Sequence, residues 1–363
     1  DVYKRQGCFV APGSGHRGPS FRDVPVGSPR PGLLRGQHHG AAEPHLRGSS
    51  HVHHRGRRPS AHRRGGGDGP GQFQSPKQIL LDASDSVFVW DEGAYRLTRF
   101  DSAGTIGAVQ TIRRDGVARA IEPPLYPGAT VLSSPVALVV RLIGKELPSG
   151  NATFRGASGA LRMALDLSRV DTLLLFEDVE QVVVDSPWGP LPLSPPLART
   201  TSIATQPGGE RVCIGDQAAP EVRCLDPGDP ITTARWDAEA VPVAEDDPAV
   251  ARWRDDTVVE WAEKVSTDLA RRVLEGAPVP TSYPYFRSLV VDREGRPWVE
   301  RWPDSGGGAE WMVFDVTGTF LGSLAVPSVQ VLEIGSDYIL GVSEDDLGVQ
   351  FVELWPILKP ESG

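Results

Sequence analysis

Asparagine is almost missing from these 363 residues: Asn151 is the only one, and there are 2 Met and 3 Cys. Histidine is confined more sharply, since all 8 lie between His16 and His62 and residues 63–363 contain none. That absence removes the imidazole base that a Ser-His-Asp or Cys-His nucleophile needs, and it takes the commonest metal ligand out of most of the chain. Long apolar runs are lacking too. The longest, Val136 to Ile143, is interrupted by Arg141 and is far shorter than the roughly 20 residues of a spanning helix. No membrane-spanning segment is expected. The Gly-rich stretches Gly65 to Gly69 and Gly306 to Gly308 lack the following Lys-Ser/Thr and the helix that would cradle a phosphate. They read as loops.

What is abundant is turn chemistry. With 40 Gly and 33 Pro, the chain favours many turns over long helices. Its length suits one large domain or two ordinary ones, and the 39% hydrophobic content is enough for a substantial core. Charge is distributed unevenly. Residues 1–64 set Lys4 and eleven Arg against Asp1, Asp23 and Glu43, a balance of +9, so the total of −10 leaves −19 for the remainder.

Residues 1–64 show neither an apolar period of 2 nor one of 3.6. Clustered Arg and His could bind nucleic acid, and His51, His53 and His54 could hold a metal. The reading adopted is different: a basic segment, disordered or non-native. Its Gly, Arg, Pro, His, Ala and Ser match out-of-frame translation of GC-rich DNA. Its opening, Asp1-Val-Tyr-Lys-Arg-Gln6, resembles a translated sequencing adaptor.

From Gly65 onward short apolar runs alternate with Gly, Pro and Asp. Val87 to Trp90 leads through a short loop to Tyr95 to Phe100, then to the turn Asp101-Ser-Ala-Gly104 and a further strand, Gly107 to Ile112. Asp opening such a turn caps the backbone, and Gly closing it accepts positive φ. The unit recurs: Arg211 to Ile214 with Arg223 to Gly228, and Pro297 to Glu300 with Met312 to Gly318. A worn copy pairs Val136 to Ile143 with Met163 to Val170, and a fifth, Asp337 to Val342 with Val349 to Leu354, lacks its last strand. A supersecondary unit repeated this often, and unable to bury its faces alone, predicts sheets stacked around an axis.

Gly67-Asp-Gly-Pro-Gly-Gln-Phe73 with Asp85 to Asp91, Val291 to Val299, Phe314 to Gly318 and Gly335 to Val342 resemble bacterial six-bladed β-propeller proteins related to NHL-repeat propellers. The resemblance covers about residues 67–356. It implies an all-β fold, a six-bladed β-propeller with five blades recognisable here. It also implies a blade ahead of the Gly-Pro-Gly loop and an N-terminal strand completing the last blade, neither of which is seen in this sequence. Related proteins look exported, so a periplasmic or extracellular location follows from the resemblance.

One insertion breaks the β rhythm. Asp247 can cap a helix with Pro248 in its first turn, and Gly276 can end it; between them Val250, Trp253, Thr257, Trp261, Val265 and Leu269 make an apolar stripe. The expected organisation is therefore residues 1–64 outside the fold, a propeller over 65–358, a helical insertion over 246–276 and a tail over 359–363.

Candidate chemistry is sparse. Cys213 and Cys224 flank a loop symmetrically, which suits either a cross-strand disulfide or two packed thiols. No catalytic, cofactor-binding or metal-binding residue is singled out. Asp91-Glu92, Glu177-Asp178, Glu245-Asp246-Asp247 and Glu344-Asp345-Asp346 read as solvated loops, and Trp90, Trp298, Trp302 and Trp311 as packing between sheets. The leading function is a non-enzymatic binding or scaffold propeller holding a peptide, protein or glycan with its loops or channel mouth. The alternative is a calcium-dependent hydrolase like the six-bladed lactonases, whose metal sits on Glu, Asn and Asp. An acidic body argues against nucleic acid, and a monomer is expected.

Overall fold

The computed structural model describes residues 8–9 and most of residues 69–357. Within the latter, 70, 82–85, 120, 122–124, 135–136, 145–147, 149–150, 187–188, 245, 263–265, 276, 303–308, 327–328 and 345–347 are not described. The expected segment 1–64 thus lies outside the described residues except for a two-residue strand, β1 (Cys8–Phe9). Gly276, Val265 and the tail 359–363 lie outside them as well.

Among the described residues five sheets follow one another along the chain. Sheet 1 holds β2 (Pro76–Leu81), β3 (Val87–Asp91), β4 (Arg96–Phe100) and β5 (Ile106–Thr111), and a short helix α1 (Arg114–Arg119) follows. Sheet 2 holds β6 (Leu125–Ser134), β7 (Ala137–Gly144), β8 (Ala152–Ala164), β9 (Val170–Ser186) and β10 (Gly189–Leu193). Sheet 3 holds β11 (Thr201–Thr205), β12 (Val212–Asp216), β13 (Glu221–Leu225) and β14 (Thr232–Arg235), and helices α2 (Pro248–Ala262) and α3 (Thr267–Glu275) come next. Sheet 4 holds β15 (Ser288–Val291), β16 (Pro297–Glu300), β17 (Ala309–Phe314) and β18 (Phe320–Val326), with β1 added in parallel beside β18. Sheet 5 has three strands, β19 (Gln330–Ile334), β20 (Tyr338–Glu344) and β21 (Gln350–Pro356).

Within every sheet, neighbours other than β1 run antiparallel in chain order. The first strands touch in succession, β2 with β6, β6 with β11, β11 with β15 and β15 with β19. First strands lining a common axis, with later strands stepping outward, make an all-β propeller of five described blades with few helices.

Alternation along each strand explains the stacking, because successive side chains point to opposite faces. Val140 and Leu138 of β7 join a core with Leu80, Trp90 and Leu97 of sheet 1. Val139, between them, joins Val212 and Ile214 of sheet 3. Cys213, next to both, faces the other way into a core with Phe286, Val299, Met312 and Phe314. Trp298 and Trp311 then turn from sheet 4 toward Ile334, Ile339 and Trp355 of sheet 5. The inner sheets are buried on both sides, so their strands read as nearly continuous apolar runs. Close approach is exacting in places: a Cβ on Gly215 would lie 2.8 Å from the Phe286 ring.

The Asp turns between third and fourth strands sit at the opposite end from the sheet-to-sheet connections. Asp101 Oδ1 accepts from the amides of Ala103 and Thr105 at 2.9 and 2.8 Å, and Asp315 Oδ1 from those of Thr317 and Thr319 at 2.8 and 2.9 Å. Gly318 closes its turn at φ +89°, and a Cβ there would lie 2.3 Å from the Thr233 carbonyl oxygen of sheet 3. Only Gly combines that φ with that contact.

The insertion departs from the expected single helix. Asp247 does cap α2, accepting from the Ala249 amide at 2.8 Å. A second cap, Ser266, then accepts from the amides of Leu269 and Ala270 and starts α3. A local Ser cap competes well with continuing a helix, so the stripe from Val250 to Leu269 is divided between two helices. Trp253, Trp261 and Val273 pack on Val182, Val184, Leu191 and Leu193 of the β9–β10 hairpin. Among the described residues no helix is long and apolar enough to cross a membrane.

Phe314 is fully buried between sheets 3 and 4, while Val352 of β21 is 68% exposed. F314A is expected to lower unfolding free energy by about 3–5 kcal/mol, and V352T to change it by less than about 0.5 kcal/mol. Urea denaturation followed by circular dichroism checks both.

Candidate functional site

Among the described residues, the sheet-to-sheet connections and the turns between second and third strands lie at one end of the stacked sheets. This upper end includes the β3–β4 turn, the β12–β13 turn and the described residues of the β9–β10 hairpin and of the insertion.

Its acids are engaged in structure. Asp91 is fully buried at the end of β3, accepting from the amides of Gln74 and Ser75 at 2.9 and 2.7 Å, with Arg96 3.4 Å away. Glu92 Oε1 accepts from the Thr130 amide and hydroxyl at 2.8 and 2.9 Å, which ties sheet 1 to sheet 2. Asp178 is buried against Arg141. Arg155 makes a two-pronged contact with Asp216 at 2.8 and 3.2 Å and reaches Glu177 at 3.2 Å, joining sheets 2 and 3. Buried charges of this kind persist only when paired and hydrogen-bonded. The expectation that Asp91-Glu92 and Glu177-Asp178 are solvated loops is therefore corrected: Asp91 and Asp178 are buried latches. Asp247 is the helix cap described above, whereas Glu245 and the side chains of Glu344, Asp345 and Asp346 lie outside the described residues. Asn151 Oδ1 accepts from the Asp185 amide at 2.8 Å.

Gln217, in the β12–β13 turn, ties three segments of this end together. Its Oε1 accepts from the Thr200 amide and its Nε2 donates to the Arg287 carbonyl, both at 3.0 Å, while its own carbonyl accepts from the Tyr285 amide. That fixes the approach to β15. Glu300, at the upper end of β16, is buried; burial pushes its carboxyl above the usual range, and Arg287 at 3.4 Å opposes this in part. Arg287 also lies over the Trp302 ring, 6.0 Å from its centre, and Trp302 donates to the Phe286 carbonyl at 3.2 Å. Trp90, Trp298 and Trp311 are buried between sheets.

Cys213 and Cys224 are direct partners across β12 and β13, with Cα atoms 4.0 Å apart and sulfurs joined. Both are buried in the core between sheets 3 and 4. Among the described residues no group of three or more His, Cys, Asp or Glu side chains is placed to hold a metal ion.

An open cleft of about 440 Å³ lies at the rim of sheet 3, lined by Pro220, Glu221, Arg235, Trp236 and Asp237. Trp236 is half-buried, its ring centre 5.9 Å from both Phe286 and Phe314, and its amide donates to the Pro220 carbonyl. Glu221 is gripped by Arg223 at 2.7 Å and Arg235 at 2.9 Å. The Arg235 hydrogen bond, followed by the Arg223 contact, holds its carboxyl below the usual range against the pull of burial. Sequence reasoning missed this cleft. Trp236 reads there as the last residue of an apolar run, and only pairing of β13 with β14 brings Glu221 opposite Arg235.

No family model and no curated protein matches the chain. Solved structures give distant likenesses. A calcium-binding protein, regucalcin, from Agrobacterium tumefaciens shares 15% identity over 79% of this chain and 92% of its own, with a TM-score of 0.30. A putative exported protein from Bacteroides fragilis shares 10% over 81% and 80%, with a TM-score of 0.39. Virginiamycin B lyase from Staphylococcus aureus shares 9% over 80% and 87%, with a TM-score of 0.30. Likeness at this level assigns neither family nor activity.

Glu300 gives a signed pH test. Its folded-state pKa lies above its unfolded value, so the native state binds the extra proton and stability falls as pH rises from the unfolded pKa through the folded one. E300Q is expected to remove that fall, gaining stability relative to wild type at pH 7 but not at pH 4. Denaturant midpoints at the two pH values check it.

Proposed function

We propose that this chain is a non-enzymatic binding propeller that holds a peptide, protein or glycan at its upper end. In this reading residues 65–358 form the propeller, 246–276 are an insertion within it, and a sixth sheet completes the ring. The exposed apolar side chains of sheet 5, with Val352 at 68% and Leu354 at 62%, support such a further sheet, since a sheet face of this kind normally packs against a neighbour.

The observation that carries the binding reading is how the upper-end acids are used. Asp91, Glu92, Asp178 and Asp216 are each held by Arg or by backbone and hydroxyl donors. A metal-assisted hydrolase needs converging oxygen ligands that are free to take the cation. An acid already neutralised by a guanidinium is a structural latch. The rim cleft, with one aromatic face and a few polar groups, has instead the make-up of a binding site.

The competing reading is a calcium-dependent hydrolase, and one titration separates the two. A ligand that binds only the native state raises stability by about 2.7 kcal/mol at a hundredfold excess over its dissociation constant. Thermal unfolding in rising calcium is expected to leave the midpoint unchanged. An upward shift, accompanied by calcium-dependent lactone hydrolysis, would overturn the binding proposal.

A further inference from the structure

We infer that the rim cleft around Trp236 is a site for a neutral saccharide; this rests on the binding reading above and narrows it to one class of ligand. Three observations point the same way.

The first is the charge balance. Arg223 and Arg235 share Glu221 between them, and Asp237 stands exposed beside them. Of these, Glu221, Arg235 and Asp237 line the cleft; with Glu221 held by both guanidiniums, the lining has no surplus cation to select an anionic ligand. The second is the inventory of donors and acceptors. Arg235 is exposed and spends its Nε on Glu221, leaving its terminal N–H groups as donors; Asp237 supplies acceptors. A sugar hydroxyl both donates and accepts without carrying charge, and can lie between the two.

The third is the aromatic surface. Trp236 is braced from behind by Phe286 and Phe314 and is held at its backbone by Pro220. The part of the ring that lines the cleft is apolar surface held in place, suited to the C–H groups of a pyranose.

The test uses the full chain and a panel of neutral mono- and disaccharides (glucose, galactose, N-acetylglucosamine, cellobiose, maltose), with a proline-rich decapeptide as the contrasting probe. Binding is read by ligand-observed NMR and calorimetry. D237A touches no core and is expected to weaken saccharide binding at least tenfold. W236F keeps an aromatic ring against Phe286 and Phe314 while shrinking the plate, and is expected to weaken it three- to tenfold, with an unchanged circular dichroism spectrum confirming the fold. Saturable binding of at least one saccharide that both variants weaken supports the inference.

Saccharide binding indifferent to both substitutions overturns this site. Binding of the decapeptide alone, weakened by D237A, overturns the saccharide assignment and leaves the binding reading intact. Absence of any binding together with a calcium-induced rise in the unfolding midpoint overturns both.

Discussion

A β-sheet buried on both faces must place apolar side chains at consecutive positions, one for each neighbour, and the rest of this structure depends on that constraint. Val139 and Val140 serve different cores, as do Val212 and Cys213, and Trp298 and Val299. No single sheet can satisfy both faces alone, so the chain is stable only as a succession. The first strands then converge on an axis, and connections collect at one end and short Asp turns at the other. Where function can reside follows from this: the lower end is occupied by turn chemistry, and the upper end has the length and variety of segment to make a surface.

Electrostatics at the upper end follows from the same succession. The side chains that hold one sheet's rim to the next are Glu92 on Thr130, Arg155 on Asp216 and Gln217 on the segment before β15. Behind them Asp91 and Asp178 are buried with Arg96 and Arg141, and removing one member of such a pair would leave the other charge unsatisfied, a far larger cost than the pair's net worth. These acids look catalytic in a list of charged residues. Their partners show that they are fasteners. The Trp236 cleft lies beyond them on the rim, where side chains are free of that duty.

Much of the fold was legible because hairpins are local. The runs at Val87 to Trp90 and Pro297 to Glu300 coincide with β3 and β16 to within a residue, and Asp101 and Asp315 make the turns their spacing foretold. First strands were harder. Thr201–Thr205 and Pro76–Leu81 mix polar and apolar residues because an axial strand has little to bury. The long β9 carries its extension under the insertion, a non-local contact with no sequence period. Of the site itself little was legible. Asp178 reads as one acid among many until Arg141, far along the chain, is folded against it. Trp236 becomes part of a cleft only when β13 and β14 pair.

Amide hydrogen exchange, resolved by peptide mass spectrometry, tests the central claim of mutual burial most directly. Strands covered on both sides should open only with the whole structure, whereas a strand with an exposed face and an unpaired edge opens locally. The account predicts slowest exchange in β12, β13, β16 and β17, and exchange faster by orders of magnitude in β21, where Val352 and Leu354 are exposed. Equal protection of β21 and β12 would contradict it, since the sheets would then be stabilised one by one rather than by their neighbours.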